Sequence, residues 1–172
     1  MSSQHSKIQK ITKIALMVAL IAVVSQIVIP MPSYVPLTLQ VFIIALVSYI
    51  LGVRDALITV LTYIALGAIG VPVFASFRGG IYALFDYTGG FIWSFIIIAI
   101  LCGISSKKSL AIVLGIISAL ISHLMGTLWY MVIARVGLGA ALVAVSLPYI
   151  LKDVLLIPLA YALASKIKKH KI

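Results

Sequence analysis

Residues 109–133 read SLAIVLGIISALISHLMGTLWYMVI, a run with no Asp, Glu, Lys or Arg. Its apolar residues are continuous and do not alternate with polar ones, and as an α-helix it is long enough to cross a bilayer. A barrel strand would be about 9–11 residues long with every second side chain polar. Lipid offers no partner to backbone N–H and C=O groups, and a helix satisfies them within its own segment. Lys107 and Lys108 bound this run on one side and Arg135 on the other. Outward from it, comparable runs fall near residues 11–30, 37–53, 56–71, 89–105 and 148–165, divided by Pro, Gly and Lys/Arg clusters. The composition agrees, since 64% hydrophobic residues, 9% charged residues and a mean hydropathy of +1.29 lie far outside soluble globular domains. The expected fold is an all-α integral membrane protein with six transmembrane helices in one domain, residues 1–172.

The formal charge of +10 does not mark a nucleic-acid surface, because the basic residues stand at the ends of the apolar runs. Lys7, Lys10 and Lys13 precede the first run, Arg54 joins the second and third, and Lys107 and Lys108 join the fourth and fifth. Lys166, Lys168, Lys169 and Lys171 close the chain, and the opposite connections carry only Arg78 and Arg135. The positive-inside rule therefore puts both termini in the cytoplasm. The leader SSQHSKIQK has the charge of a signal-peptide start, but the apolar stretch behind it exceeds signal length and reads as an uncleaved first helix. The single cysteine, Cys102, forms no intrachain disulfide and reads as a structural thiol.

The outer side then holds the unusual residues. The connection over residues 71–90 is long for a helix hairpin and contains Arg78, Asp86 and several aromatic residues. Val71, Val73, Phe74, Phe77, Tyr82, Leu84 and Phe85 give it enough apolar surface to fold back on the bundle as a lid or re-entrant plug. Gly79-Gly80 and Gly89-Gly90 permit either tight turns or close approach of backbone to a ligand. Asp153, beside Lys152, enters the last apolar run, where a carboxylate is costly and marks a ligand, an ion or a partner charge. A plain Lys152–Asp153 pair is the alternative, and ligand binding is favoured over it because such residues are rare at that depth.

Two stripes of small residues describe how helices meet. Ala15, Ala19 and Ala22 form a smooth ridge on the first helix, suited to docking another helix, whereas Gly115, Ser118, Ala119, Ser122 and Gly126 suit packing inside the bundle. His123 is either a proton-relay or ligand group or a hydrogen-bonded core histidine, and the core role is preferred. Trp129 and Tyr130 read as an interfacial aromatic belt, with stacking on a flat ligand as the alternative. No His-Glu-x-x-His zinc motif, Gly-x-Ser-x-Gly elbow or phosphate-binding Gly-x-x-x-x-Gly-Lys loop occurs. No catalytic or metal site is expected, and any ATP-driven step belongs to another chain. The rival of another class is an intramembrane enzyme using Asp86, Asp153 and His123 for proton transfer.

The ordered motifs resemble the BioY-type substrate-binding (S) components of energy-coupling-factor (ECF) vitamin transporters, whose usual ligand is biotin. They are Ala15-x-x-x-Ala19, Pro36-Leu37-Thr38-Leu39-Gln40, Gly70-Val71-Pro72-Val73-Phe74-Ala75 with Gly79-Gly80, Thr88-Gly89-Gly90-Phe91, Gly126-x-x-Trp129, and Pro148 with Asp153. The resemblance implies a six-helix bundle without ATPase activity that captures biotin at the outer face. It also implies partnership with a transmembrane coupling (T) protein, docked on Ala15, Ala19 and the neighbouring Ala22, and with two cytoplasmic ATPases. No cofactor is expected; biotin is the transported ligand and the partners use ATP.

On biotin chemistry, Asp153 is the expected acceptor for ureido N–H groups, and Arg78 or Lys152 the receiver of the carboxylate. Gln40, Asp86, Tyr87, Gly89 and Gly90 are further candidate contacts, and Phe74 and Trp129 are packing surfaces. Two departures from the family pattern stand out. Asp86-Tyr87 replaces the usual Gly-Pro before Thr-Gly-Gly, and Leu156 stands where a lysine usually follows the aspartate. Lys152 lies one helical turn from position 156 and can present its amine on the same face. Otherwise the ligand is a related acid such as lipoate.

Overall fold

The computed structural model describes residues 2–105 and 107–169 of the 172-residue chain, and Lys171, the last basic residue of the charge argument, lies outside them. Among the described residues seven α-helices form: α1 (Ser2–Val24), α2 (Gln40–Leu51), α3 (Val53–Ala68), α4 (Gly89–Ile104), α5 (Lys108–Ala134), α6 (Leu138–Val145) and α7 (Leu147–Lys169). Each expected apolar run holds one long helix. The chain adds elements that the sequence reading did not contain: the short helix α6, two short 3-10 helices in the 71–90 connection (Ala75–Phe77 and Ile81–Leu84), and a ribbon of two antiparallel strands, β1 (Val28–Ile29) and β2 (Leu37–Thr38). The ribbon removes residues 25–30 from the first run, so α1 ends at Val24, while its start reaches back through the polar leader.

Helices α5 and α7 are long and apolar enough to cross a membrane by themselves, and α2 and α4 are apolar but shorter. The outward faces are as apolar as the core. Leu147, Leu151, Leu155, Leu159 and Leu163 make an exposed stripe along α7, and Leu120, Leu124 and Leu128 make another on α5. An exposed apolar surface of that extent is unsuited to water and suited to lipid chains.

Close helix packing depends on missing side chains, since apolar association gains little when the surroundings are themselves hydrocarbon and van der Waals contact must supply the attraction. Helices α4 and α5 form the most extensive pair, and α2 lies against α7 and α4. On α5 the small residues Gly115, Ser118, Ala119, Ser122 and Gly126 are buried. A Cβ on Gly115 would stand 2.0 Å from the Tyr49 hydroxyl, and one on Gly126 would stand 2.2 Å from the Phe91 ring. The α2–α3 connection is a single residue, Gly52, whose φ of 76° a residue with a side chain rarely adopts. It brings Asp55 of α3 to Lys10 of α1, 2.6 Å apart, and thus the start of the chain to the α2–α3 turn.

Candidate functional site

A cavity opens between β2 and the start of α2, the 71–90 connection, and helices α4, α5, α6 and α7. Most of its wall is apolar, with Val35, Val41, Phe74, Phe91, Ile92 and Phe95 among the lining residues, and its polar groups come from Thr38, Gln40, Arg78, Thr88, His123, Tyr149, Lys152 and Asp153. Few polar groups in an apolar hollow is the usual character of a small-molecule site.

Helix α7 supplies the densest chemistry. Tyr149 and Asp153 are one turn apart on its buried face, and Tyr149 donates to the Val35 carbonyl at 2.7 Å, fixing the approach to β2. Asp153 is 3% exposed. Its Oδ2 stands 3.1 Å from His123 Nε2, and because a carboxylate only accepts, that imidazole nitrogen donates. Ser146 stands beside the other imidazole nitrogen at 3.3 Å and 2.5 Å from Thr127 Oγ1, so a polar chain runs Thr127–Ser146–His123–Asp153. Lys152 Nζ lies 2.7 Å from Asp153 Oδ1 and donates to the Thr38 carbonyl. Oδ1 is thus ion-paired, and each carboxylate oxygen has a partner within the protein. A carboxylate has about four lone-pair sites, so Asp153 can accept a ligand N–H beside the two groups already at it.

The opposite wall is the 71–90 connection. Tyr63 donates to the Val73 carbonyl at 3.0 Å and receives Gln40 Nε2 at 3.0 Å, tying the start of α2 to this wall. Gln26, in the turn after α1, clasps the same segment: its Nε2 reaches the Val73 and Phe74 carbonyls at 3.2 Å each, and its Oε1 accepts from Phe77 N at 2.8 Å. That clasp holds two successive residues, Ser76 and Phe77, at φ of 60° and 56°, a left-handed conformation costly for both. As the apolar content implied, the segment folds back onto the bundle through Val73, Phe74, Ala83 and Leu84, while Phe77, Tyr82 and Phe85 stay exposed.

Of the ligand-contact candidates read from sequence, Asp153, Lys152, Arg78, Gln40 and Phe74 line the cavity. Asp86, Tyr87, Gly89, Gly90 and Trp129 stand outside its lining. Asp86 pairs with Arg78, Tyr87 packs between Tyr34 and Tyr130, and Trp129 donates its indole N–H to the Asp86 carbonyl at 2.9 Å. Gly90 admits α5, since a Cβ there would stand 2.4 Å from Trp129 Cβ and 2.8 Å from the Met125 carbonyl, while one on Gly89 would stand 2.2 Å from the Leu84 carbonyl of the 71–90 connection. Gly90→Ala is therefore expected to lower unfolding stability by about 1–3 kcal/mol, the usual cost of overpacking, measured as a fall in thermal midpoint in detergent. His123 joins its two readings, being buried, hydrogen-bonded and part of the cavity wall. Tyr149 and Phe91 line the cavity and were not singled out from sequence; the signals were the i, i+4 spacing of Tyr149 to Asp153 and the place of Phe91 directly after Gly89-Gly90.

The ridge of α1 lies elsewhere. Ala15 and Ala19 are exposed and Ala22 is half-buried, whereas Met17, Val18 and Ile21 on the other face are buried in the core.

The sequence profile of the BioY family matches residues 1–171. The chain is 34% identical over 157 residues to the biotin transporter BioY2 of Lactococcus lactis subsp. cremoris, covering 88% of this chain and 86% of that one. It is 35% identical over 163 residues to a probable biotin transporter BioY of Pyrococcus horikoshii, covering 94% and 98%. A crystal structure at 2.1 Å of the S-component for biotin from an ECF-type ABC transporter has the same fold, with a TM-score of 0.87 over 96% of this chain and 93% of that one, at 22% identity. With a profile that spans nearly the whole chain and relatives about a third identical along most of their length, this protein belongs to the BioY family of membrane transporter components.

Proposed function

We propose that this chain is the biotin-capture S component of an ECF transporter, a subunit that binds the vitamin and has it carried inward by partners that hydrolyse ATP. The observation that supports it most directly is Asp153, a buried carboxylate in the wall of an apolar cavity, paired with His123 and Lys152. A ureido ring offers two N–H donors to such a group, and a charge-assisted bond is about twice as strong as a neutral one. The apolar wall of Phe74, Phe91 and Phe95 suits the thioether ring. The biotin carboxylate goes to Arg78 or Lys152, with Gln40 and Thr38 as further polar contacts. Lys152 supports the idea that it replaces the lysine usual at position 156, because its amine already stands at Asp153.

All helices but α6 cross the membrane in this reading, with both termini and the Lys10–Asp55 pair on the cytoplasmic side and the cavity on the outer side. The partners are a transmembrane coupling protein, docked on Ala15, Ala19 and Ala22, and two cytoplasmic ATPases. Lipoate is the second reading, favoured by Leu156 in place of the family lysine, but it has no ureido group to donate to Asp153.

Equilibrium titration of the detergent-purified protein tests the assignment. Biotin is expected to bind saturably and lipoate roughly 100-fold more weakly, the factor that about 2–3 kcal/mol of lost charge-assisted hydrogen bonding gives. A well-folded sample that takes lipoate and not biotin would overturn the biotin assignment and leave an S component for another acid.

A further inference from the structure

We infer that Asp86 sets the charge selectivity of the cavity by competing with the ligand's carboxylate for Arg78. This rests on the biotin reading above and deepens it. Arg78 lines the cavity, yet its Nη2 already donates to Asp86 Oδ2. Among the described residues, no other hydrogen bond or ion pair is made by the guanidinium. One edge of the fork is occupied by an internal carboxylate and the rest is open.

Asp86 is not free to yield. Its Oδ1 accepts the Tyr87 backbone N–H at 2.7 Å, and its carbonyl is held by the Trp129 indole at 2.9 Å. The pair is part-buried, with the Asp86 side chain 12% and the Arg78 side chain 31% exposed. Two cations, Arg78 and Lys152, thus face two carboxylates, Asp86 and Asp153, and the formal charges at and beside the cavity cancel. An incoming carboxylate gains Arg78 only against the repulsion of Asp86 across the same guanidinium, whereas an uncharged tail meets no such repulsion. The ligand class that follows is the ureido-ring head with either an ionised or an uncharged tail, such as an amide or ester of the acid.

The test is titration of the purified full chain with biotin and with biotin amide, in wild type, Asp86→Asn and Asp86→Gly, each repeated with Arg78→Gln. Removing the Asp86 charge is expected to raise the acid-to-amide affinity ratio about tenfold, because the guanidinium fork is then free for a charge-assisted bond to the ligand's carboxylate. In the Arg78→Gln background it is expected to leave the ratio where Arg78→Gln alone puts it, because the competition has lost its object. If wild type binds both ligands and neither Asp86 variant changes the ratio, the inference falls and the biotin assignment stands. If the ratio rises equally without Arg78, the effect is general field and the competition is refuted. If folded wild type binds neither ligand, the biotin assignment itself has failed and the inference with it.

Discussion

Asp153→Asn is expected to weaken biotin binding roughly 30- to 150-fold, the equivalent of the about 2–3 kcal/mol that a hydrogen bond to a charged group contributes. Asparagine keeps the shape of the side chain and offers one carbonyl oxygen in place of two carboxylate oxygens. If that oxygen stays with His123 Nε2, now 3.1 Å from Oδ2, the amide NH2 stands where Oδ1 is now, beside the Lys152 amine, and a ureido N–H meets a donor. If the amide flips, the imidazole changes tautomer to accept at Nε2 and donate from Nδ1 to Ser146, and the ligand regains only a neutral acceptor. In both arrangements the charge-assisted bond to the ligand is lost.

Lys152 also loses the carboxylate 2.7 Å from its amine, but it keeps the Thr38 carbonyl, and its side chain is 21% exposed. Unfolding stability should therefore change by less than binding. Thermal midpoint and biotin affinity, measured on the same preparation, check this. A loss of folding as large as the loss of binding would make Asp153 a structural partner of His123 and Lys152, and near-normal affinity would remove it from the ligand contacts.

The second large effect separates binding from transport. Ala15→Leu together with Ala19→Leu should reduce ATP-driven uptake by about tenfold or more while biotin affinity of the isolated chain stays within about twofold, because ridges of small residues work by letting helix backbones come close. Ala15 and Ala19 face outward, away from the core that Met17, Val18 and Ile21 enter, so added methyl groups meet no neighbour within this chain's own core. Leu124→Phe on α5 is the control, since Leu124 is also exposed and lies on a different helix. Uptake by reconstituted transporter and titration of the detergent-purified variant are the two readouts. Normal uptake by the double variant, or an equal loss with Leu124→Phe, would remove the ridge as the docking surface.

Much of this architecture was legible because the governing signals were long. An uncharged run such as 109–133 allows one regular structure in lipid, and the helix that forms there, Lys108–Ala134, follows it within a residue at each end. Asp153 was legible for the reverse reason, as a charge where charge is costly. The ribbon of β1 and β2 was not, since two residues per strand are too few to show a period of two. Helix α6 lay in a stretch rich in Ala, Val and Gly whose apolar length suits neither a span nor a turn, and its Ala141 and Val145 are buried only because Val35 and Tyr130 arrive from distant segments. The same limit applies to the cavity. Glycines 89 and 90 announced close approach, but whether a ligand or α5 approaches depends on Trp129, 40 and 39 positions further along the chain. His123 and Asp153 meet across 30 positions of sequence, which no local pattern encodes.

Gln26 binds α1 to the cavity wall by hydrogen bonds at both ends of one amide, reaching Ala22 in the helix and Val73, Phe74 and Phe77 in the segment that bears Arg78. The helix proposed to dock the coupling protein and the wall proposed to face the vitamin are thus tied together at that point. Thermodynamic reciprocity then sets a condition on transport: if docking on α1 loosens the vitamin by some factor, occupancy by the vitamin loosens docking by the same factor. An empty subunit would be the better competitor for a shared coupling protein unless ATP, by driving the cycle away from equilibrium, pays the difference.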